Sequence, residues 1–450
     1  MWSQLKNRCV REAEWIDPIE VADPEYLLRL QWRRIKRVLH YAYDNLSFYR
    51  ERFDSIGLHP ADVKNLDDFS RIPLLSKLDL IAETKSRQSF SIGIEAFNKR
   101  PPFNVVMTSG THGFHTFAAV GRAELTRGAM RAVLREFWMQ KIRPGMSVMT
   151  LSPAWHFLSL LDSRALTAIG ARCVSPFGTH TPRFAERFLD AVVNLRPEYV
   201  LTIPPVLYAM LSVCERRGIE PREAFASVRY VSAVGEAVTP RLRQKLRDQL
   251  GLDDFFERGG SSDGLWGGGE CSRHNGHHVF ADLFYVEIVD PVTNQRLGPG
   301  ERGTIVVTNL VLGKSLYIRF NCEDLGSIAT DVCECGRTHP RVEIFDRLDN
   351  QIQVNGREIT VYDIRACLDE IDQLCGRSFF VVKQRNGGFR IDVYDPDDTL
   401  HNVSSEARAA LLKRFGLDAE FRGIRSMPAR WKGRLVDERQ VAIGEGYPGE

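Results

Sequence analysis

Residues 24–55, DPEYLLRLQWRRIKRVLHYAYDNLSFYRERFD, carry apolar side chains at three- and four-residue steps with basic residues between them. That period predicts one or two amphipathic helices whose basic face is solvated. From about 100 to 260 the pattern alternates. Residues 104–107 read as a strand that runs into glycines, 122–140 as a helix, and 147–152 (SVMTLS) as a buried strand. A helix near 157–169, a strand over 171–175, a helix over 183–195 and a strand over 198–203 follow. Residues 204–217 open with two prolines, which suit the first turn of a helix. VRYVSAVGE reads as a strand entering a Gly-Glu turn, and 239–250 as a helix. Such alternation predicts a mostly parallel sheet covered by helices.

After residue 270 the texture changes. FADLFYVEIVD, GTIVVTNLV and SLYIRF are short β-rich runs divided by Pro/Gly turns. They predict a small antiparallel or distorted-barrel subdomain over about 265–345. DRLDNQIQVNGREITVYDI then opens a terminal segment with strands near 351–354, 379–384 and 389–394 and helices near 361–370 and 404–415. The fold class is therefore α/β. A large N-terminal domain, residues 1–346, carries helix-covered, mostly parallel sheets and the β-rich subdomain. A small α+β domain of lid size occupies 347–450.

Composition narrows the function classes. The 450 residues exceed one ordinary core. With 43% hydrophobic and 26% charged residues the chain reads as soluble and globular. A formal net charge of +2 gives no strong field toward nucleic acid or a membrane surface. No run of eighteen apolar residues predicts a transmembrane helix, and MWSQLKNRCVREAEW lacks an apolar run of signal-peptide length. Nine cysteines, an odd number, fit reduced thiols in a cytoplasmic setting.

Three clusters carry candidate chemistry. Residues 106–117, VMTSGTHGFHTF, place hydroxyls and glycines directly after a strand. Such a loop is either a surface turn or a cradle in which backbone N–H groups and hydroxyls hold an anion. It is not a Walker loop, because no Lys-Ser/Thr pair follows. Residues 256–264, FERGGSSDG, form a second Gly/Ser turn ending in Asp263. A hydroxyl beside a carboxylate suits a Mg²⁺-bound phosphate, and a plain glycine-rich loop is the other reading. Cys271, His277, His278, Cys333 and Cys335 form the third group. Three thiolates and one imidazole make a closed zinc site; cysteines packed as small hydrophobes are the alternative. Asp324, Arg347, Asp349 and Lys432 are single charges that chemistry alone does not distinguish from solvated ones.

Taken in order, these pieces resemble the phenylacetate–coenzyme A ligase branch of the adenylate-forming superfamily, from about residue 25 to 440. LQWRRIKRVLHYAYDNLSFYRERFDSIGLHPADVKNLDDFSRIPLLSKLDL resembles the opening of that branch. TSGTHG resembles its phosphate loop, which implies that Thr108, Ser109, Gly110, Thr111 and Gly113 hold the ATP β- and γ-phosphates. AVGEAVTPRLRQKL resembles the turn that lines adenine, hence Gly235, Glu236 and Ala237. GGSSDG falls where the branch has a Tyr-Gly-x-Ser/Thr-Glu motif, which makes Ser262 and Asp263 the hydroxyl and carboxylate near the α-phosphate and Mg²⁺. IRFNCEDLG implies Asp324 on the ribose hydroxyls. FDRLDNQI implies Arg347 near the ribose and Asp349 as the hinge of a mobile lid. ARWKGRLVD implies Lys432 on the carboxylate and α-phosphate. EC…GHH…CECGRTHP resembles the zinc-bearing members, which favours His278 over His277 beside Cys271, Cys333 and Cys335.

The resemblance implies an ATP- and Mg²⁺-dependent ligase with structural Zn²⁺. It adenylates an aromatic or similar small carboxylic acid, releases pyrophosphate, and passes the acyl group to coenzyme A. An amine or a separate carrier protein are alternative acceptors, and a nucleotide-binding protein without ligase activity is a third reading. Trp155, His156, Phe157 and Tyr208 are the candidate acid pocket, with His156 a candidate contact to the carboxylate. A homodimer is left open. Three positions depart from the pattern. His112 replaces the second Thr of the phosphate loop, and Phe114-His115 replace the small residues after it. Glycine or arginine stands where the fifth motif has Tyr. Asp263, or a serine in a shifted alignment, stands where the motif has Glu.

Overall fold

The computed structural model describes residues 14–87, 103–107, 117–151, 157–175, 184–261, 266–313, 315–395, 398–425 and 435–438. The Asp23 carboxylate accepts from Tyr26 N at 2.9 Å, and Pro24 takes the first-turn position. Helix α1 (Pro24–Asn45) then buries Leu27, Leu30, Ile35, Val38 and Leu39 on one side. Each contributes about 1.5–3 kcal/mol of transfer free energy. Leu46 is extended and α2 (Ser47–Asp54) follows, so the amphipathic pattern folds as two helices. A further helix, α3, covers Lys77–Arg87.

Strand β1 (Phe103–Met107) pairs antiparallel with β2 (Phe117–Gly121), from Phe103 opposite Gly121 to Met107 opposite Phe117. The sequence pattern showed β1 but not β2. The helix expected over 122–140 is divided into a short helix, Arg122–Thr126, and α4 (Ala129–Met139). Gly128 sits at the break with φ −105° and ψ −125°, outside the helical region.

The alternating region follows its pattern closely. In order come β3 (Ser147–Thr150), α5 (Phe157–Ile169), β4 (Arg172–Val174), α6 (Ala185–Leu195), β5 (Tyr199–Thr202), α7 (Pro204–Arg217), β6 (Tyr230–Val234), α8 (Pro240–Leu250) and β7 (Asp254–Ser261). Strands β8 (Trp266–Glu270), β9 (His277–Val279), β10 (Phe284–Val289), β11 (Gly303–Asn309), β12 (Phe320–Ala329) and β13 (Arg341–Arg347) complete one sheet of eleven strands. Its order is β10-β11-β12-β13-β9-β8-β7-β6-β5-β3-β4. Pairing is parallel from β4 to β7 and antiparallel at β7–β8, β8–β9 and β9–β13. The β-rich region is thus antiparallel, but it extends the parallel sheet rather than forming a separate barrel. SLYIRF differs as well. Ser315–Arg319 lie outside any strand, because Arg319 has φ +52° and β12 begins only at Phe320.

The chain divides into two compact units, residues 1–236 with 251–344, and 237–250 with 345–450. The first has a core that includes Ile35, Phe53, Phe137, Trp138, Phe256, Phe280 and Val307. The second holds hairpin β14 (Gln351–Val354) and β15 (Arg357–Thr360), and helices α9 (Val361–Leu368) and α10 (Ser404–Phe415). Its sheet has the order β18 (Ala419–Ile424), β17 (Phe389–Tyr394), β16 (Phe379–Lys383), β19 (Leu435–Asp437). Its core includes Ile364, Leu368, Val381, Ile391 and Leu411. Helix α8 belongs to this unit: Thr239 Oγ1 donates to Asp369 at 2.6 Å, and Lys245 Nζ to Cys375 O at 2.8 Å. Among the described residues no helix is long and apolar enough to cross a membrane.

Candidate functional site

Parallel strands deliver their connections to one edge of the sheet, and ligands of open α/β sheets collect there. Thr202 lies opposite Ala233, and Val234 opposite Arg258. Leu151 N donates to Leu201 O, so β3, β5 and β6 finish almost level, while β7 runs on to Ser261. Gly235 leaves β6 with φ +99°, a region that favours glycine, and Glu236 and Ala237 follow it at this edge. Tyr208 is half-buried on α7. The segments that carry Thr108, Ser109, Gly110, Thr111, Gly113, Trp155, His156, Ser262, Asp263 and Lys432 lie outside the described residues, as does the side chain of Phe157. Their flanks are described. Residues 108–116 join β1 to β2, so this loop closes an antiparallel hairpin. Ser315 Oγ accepts from Ala119 N at 3.0 Å and donates to Ala119 O at 3.2 Å, which ties down the base of the hairpin.

The FERGGSSDG stretch is less of a turn than its composition suggested. Gly259, Gly260 and Ser261 are still strand, opposite Gly268, Gly267 and Trp266. A Cβ at Gly259 would lie 2.8 Å from the His277 ring and from Ile344. Gly260 has φ +148°, and a Cβ there would lie 2.5 Å from Trp266 O. Close packing therefore accounts for these glycines, and no tyrosine fits at 259. Arg258 cannot replace it either, because its guanidinium is buried against the helices.

That guanidinium forms a network the sequence did not reveal. Arg258 Nε and Nη2 donate to Glu136 on α4 at 3.0 and 3.2 Å. Nη1 and Nη2 donate to Asp162 on α5, both at 3.0 Å. All three side chains are at most 5% exposed. Burial pushes the Glu136 carboxyl up to about 6, although Arg258 opposes it. Burial would lower Arg258, but Asp162 and Glu136 more than offset it. The network pins α4 and α5 to β7 just beneath the carboxyl edge.

The run IRFNCEDLG does not end as a strand at Asp324. That residue lies within β12, half-buried, at an irregularity where Thr304 faces Leu325 but Val306 faces Asn321. Glu323, at φ +59°, makes the kink. In the second unit Arg347 ends β13, and its Nε lies 3.9 Å from Asp349 Oδ1.

The sulfur cluster is fully assembled. Cys271, His278, Cys333 and Cys335 hold their ligand atoms within 4.8 Å of one another. The Cys271 and Cys333 sulfurs are 3.8 Å apart, and Cys335 Sγ lies 3.4 Å from His278 Nε2. A tetrahedral zinc with bonds of about 2.3 Å to sulfur and about 2.0 Å to nitrogen has edges of about 3.8 and 3.5 Å. The four residues therefore fit that ion. His277 points elsewhere: its Nδ1 meets Val342 O at 3.2 Å. Strand pairing of β9 with β13 sets Arg341 opposite His278. Gly336, at φ +85°, closes the Cys333–Arg337 turn by donating to Cys333 O at 2.8 Å. The Cys271 thiol and the His278 ring hold Cys335 far below the usual thiol range, while sharing its proton and burial push Cys271 up.

A family model described as AMP-binding enzyme matches residues 61–315. The chain is 28% identical over 388 residues to a phenylacetate-coenzyme A ligase of Thermus thermophilus, covering 84% of each chain. It is 25% identical over 346 residues to one of Escherichia coli, covering 76% of each. In fold it is similar to a crystal structure of 2-hydroxyisobutyryl-CoA ligase in the postadenylation state. There the TM-score is 0.83 at 23% identity, over 97% of this chain and 94% of that one. The described edge of β3, β5, β6 and β7 lies inside the matched span, which covers more than half of the sequence, and the chain belongs to the AMP-binding enzyme family.

Proposed function

We propose that this protein is an AMP-forming acid–thiol ligase that activates an aromatic or similar small carboxylic acid and transfers it to coenzyme A. The observation that carries the reading is the 28% identity to a phenylacetate-coenzyme A ligase over 84% of both chains, on top of family membership. In the first half-reaction a carboxylate oxygen attacks the α-phosphorus of ATP, the bond to the bridging oxygen breaks, and pyrophosphate leaves. In the second, the thiol sulfur attacks the acyl carbon of the mixed anhydride and AMP departs. The transition state of the first step spreads charge over phosphate oxygens, so positioned donors can stabilise it without reacting.

Residues Thr108, Ser109, Gly110, Thr111 and Gly113 are assigned to the β- and γ-phosphates, and Gly235, Glu236 and Ala237 to adenine. Asp324 and Arg347 are assigned to the ribose, and Lys432 to the reacting oxygens. Trp155, His156, Phe157 and Tyr208 line the acid. Mg²⁺ screens the phosphate charge when bound, and Ser262 and Asp263 are the residues that would hold it. Asp349 is the pivot on which residues 347–450 exchange the two half-reactions. Cys271, His278, Cys333 and Cys335 would hold a structural Zn²⁺, which supplies a cross-link rather than reactivity, since four protein ligands leave no open position.

The test is acid-dependent release of pyrophosphate from Mg-ATP across benzoates, phenylacetates, hydroxylated aryl acids and short aliphatic acids, with and without CoA. Release with an aryl acid and formation of its thioester are expected. Release without a thioester would move the acceptor to an amine or carrier protein. No release with any acid would overturn the reading.

A further inference from the structure

We propose that Arg337 couples the Cys271–His278–Cys333–Cys335 centre to the segment Glu14–Ala22, so that metal occupancy and docking of that segment stabilise each other. The inference rests on the reading of this centre as a metal site. The Arg337 side chain is 2% exposed and divides its three nitrogens among three partners. Nε donates to Glu20 Oε2 at 2.8 Å, Nη2 to Glu14 O at 2.6 Å, and Nη1 points at Cys335 Sγ at 3.8 Å. Two of these partners belong to the segment and the third is a ligand atom.

The rest of the segment is fastened to the same turn. Thr338 N donates to Glu20 O at 3.1 Å, and Thr338 Oγ1 to Ala22 O at 2.6 Å. A Cβ at Gly336, inside the Cys333–Arg337 turn, would lie 3.9 Å from the Trp15 ring. The second oxygen of Glu20 is also used, accepting from Ile16 N and Asp17 N at 3.1 Å each. Arg135 Nη2 fastens Asp17 from α4 at 2.6 Å. A cavity of about 320 Å³ lies alongside, lined by Glu14, Cys271, Arg273, Cys335 and Arg337. The segment thus forms one wall of the approach to the two sulfurs.

A guanidinium that donates to a metal-bound thiolate disperses its charge and fixes its direction. The turn that carries Arg337 and Thr338 also carries Cys333 and Cys335, and with a metal bound it is cross-linked to Cys271 and His278. Without the cross-link the turn loosens, and the anchors of the segment loosen with it. Linkage makes the effect reciprocal: whatever the metal adds to docking of the segment, docking adds to metal affinity. Arg337 is in this sense a positioning residue.

The test uses full-length protein and two readouts other than catalysis. Metal release is followed with a chromophoric chelator in wild type, Arg337→Met, Arg337→Lys and Glu20→Gln. Arg337→Met should weaken metal retention by about 10–100-fold, with smaller losses in Arg337→Lys, which keeps the charge without the three-way fork, and in Glu20→Gln. In the reverse direction, stripping metal from wild type should speed chymotryptic cleavage between residues 15 and 26, and restoring zinc should slow it again. Glu20→Gln carries the test if Arg337→Met fails to fold. Wild-type metal retention in both Arg337→Lys and Glu20→Gln, or cleavage that ignores the metal, would overturn the coupling. A wild-type protein that binds no zinc at all would instead overturn the reading of the centre as a metal site.

Discussion

The carboxyl edge of the parallel strands and the cysteine turn place their chemistry in opposite ways. At the turn, four candidate ligand atoms converge on a small scaffold, namely a Gly336 turn, the long-range β9–β13 pairing and Cys271 just after β8. The described part of the edge instead offers the ends of β3, β5 and β6 beside a longer β7, with a buried ion network beneath them. Arg258, Glu136 and Asp162 come from three elements and fix α4 and α5 to β7. The lesson is that the sulfur cluster is set by a turn and one strand pairing, whereas the carboxyl edge rests on the layers packed below it.

If the two regions are independent, each substitution should damage one and spare the other. On the proposed zinc reading, Cys333→Ser removes a ligand and should cost about 4 kcal/mol or more of stability, read as loss of bound zinc and a lower denaturation midpoint. Below that midpoint, adenylation per folded molecule should persist. Arg258→Met strands two buried carboxylates and should cost about 3–5 kcal/mol, with zinc stoichiometry unchanged in the protein that folds. Loss of zinc in that variant would break the comparison. Lys432→Ala should lower acid-dependent pyrophosphate release about 10²–10³-fold while ATP affinity, measured by calorimetry, and zinc content stay as in wild type.

The smallest effect sharpens the picture of the network itself. Glu136 is raised from 4.5 to about 6, so between these values the folded protein binds more protons than the unfolded one. Its contribution therefore favours folding at low pH and is lost as pH rises through about 6. That shift corresponds to about 2 kcal/mol at neutral pH. Glu136→Gln should flatten this part of the pH dependence, seen in urea midpoints from pH 4.5 to 7.

Much of the fold was legible because period and punctuation are local. The prolines at 204 and 205 and Gly218 bound α7, and Thr360 with Asp363 caps α9 reciprocally, as their residue types suggest. The order of motifs pointed to the family, and the group Cys271, His277, His278, Cys333 and Cys335, narrowed to His278 by the resemblance, contains the four residues that the structure does bring together. Other readings failed for physical reasons. SLYIRF has strand composition, but the backbone at Arg319 turns away so that its side chain can reach Glu287 at 2.8 Å. Gly259 and Gly260 of FERGGSSDG read as part of a turn, yet both lie in β7, where strands and the His277 ring crowd them.

The sequence by itself determined most of the helices and strands, which stretches carry hydroxyls, glycines or thiols in a recognisable order, and hence the family. Those features arise from neighbours within a few residues, where backbone preference and side-chain period act. Only the tertiary structure decided that the β-rich strands extend one sheet. It alone paired Arg258 with Glu136 and Asp162, and set Arg337 between Cys335 and a glutamate 317 residues earlier in the chain. A buried charge is held by whichever partner the packing brings within about 3 Å, since the cost of desolvation leaves it no other place. Nothing in the local pattern around either residue records which partner that will be.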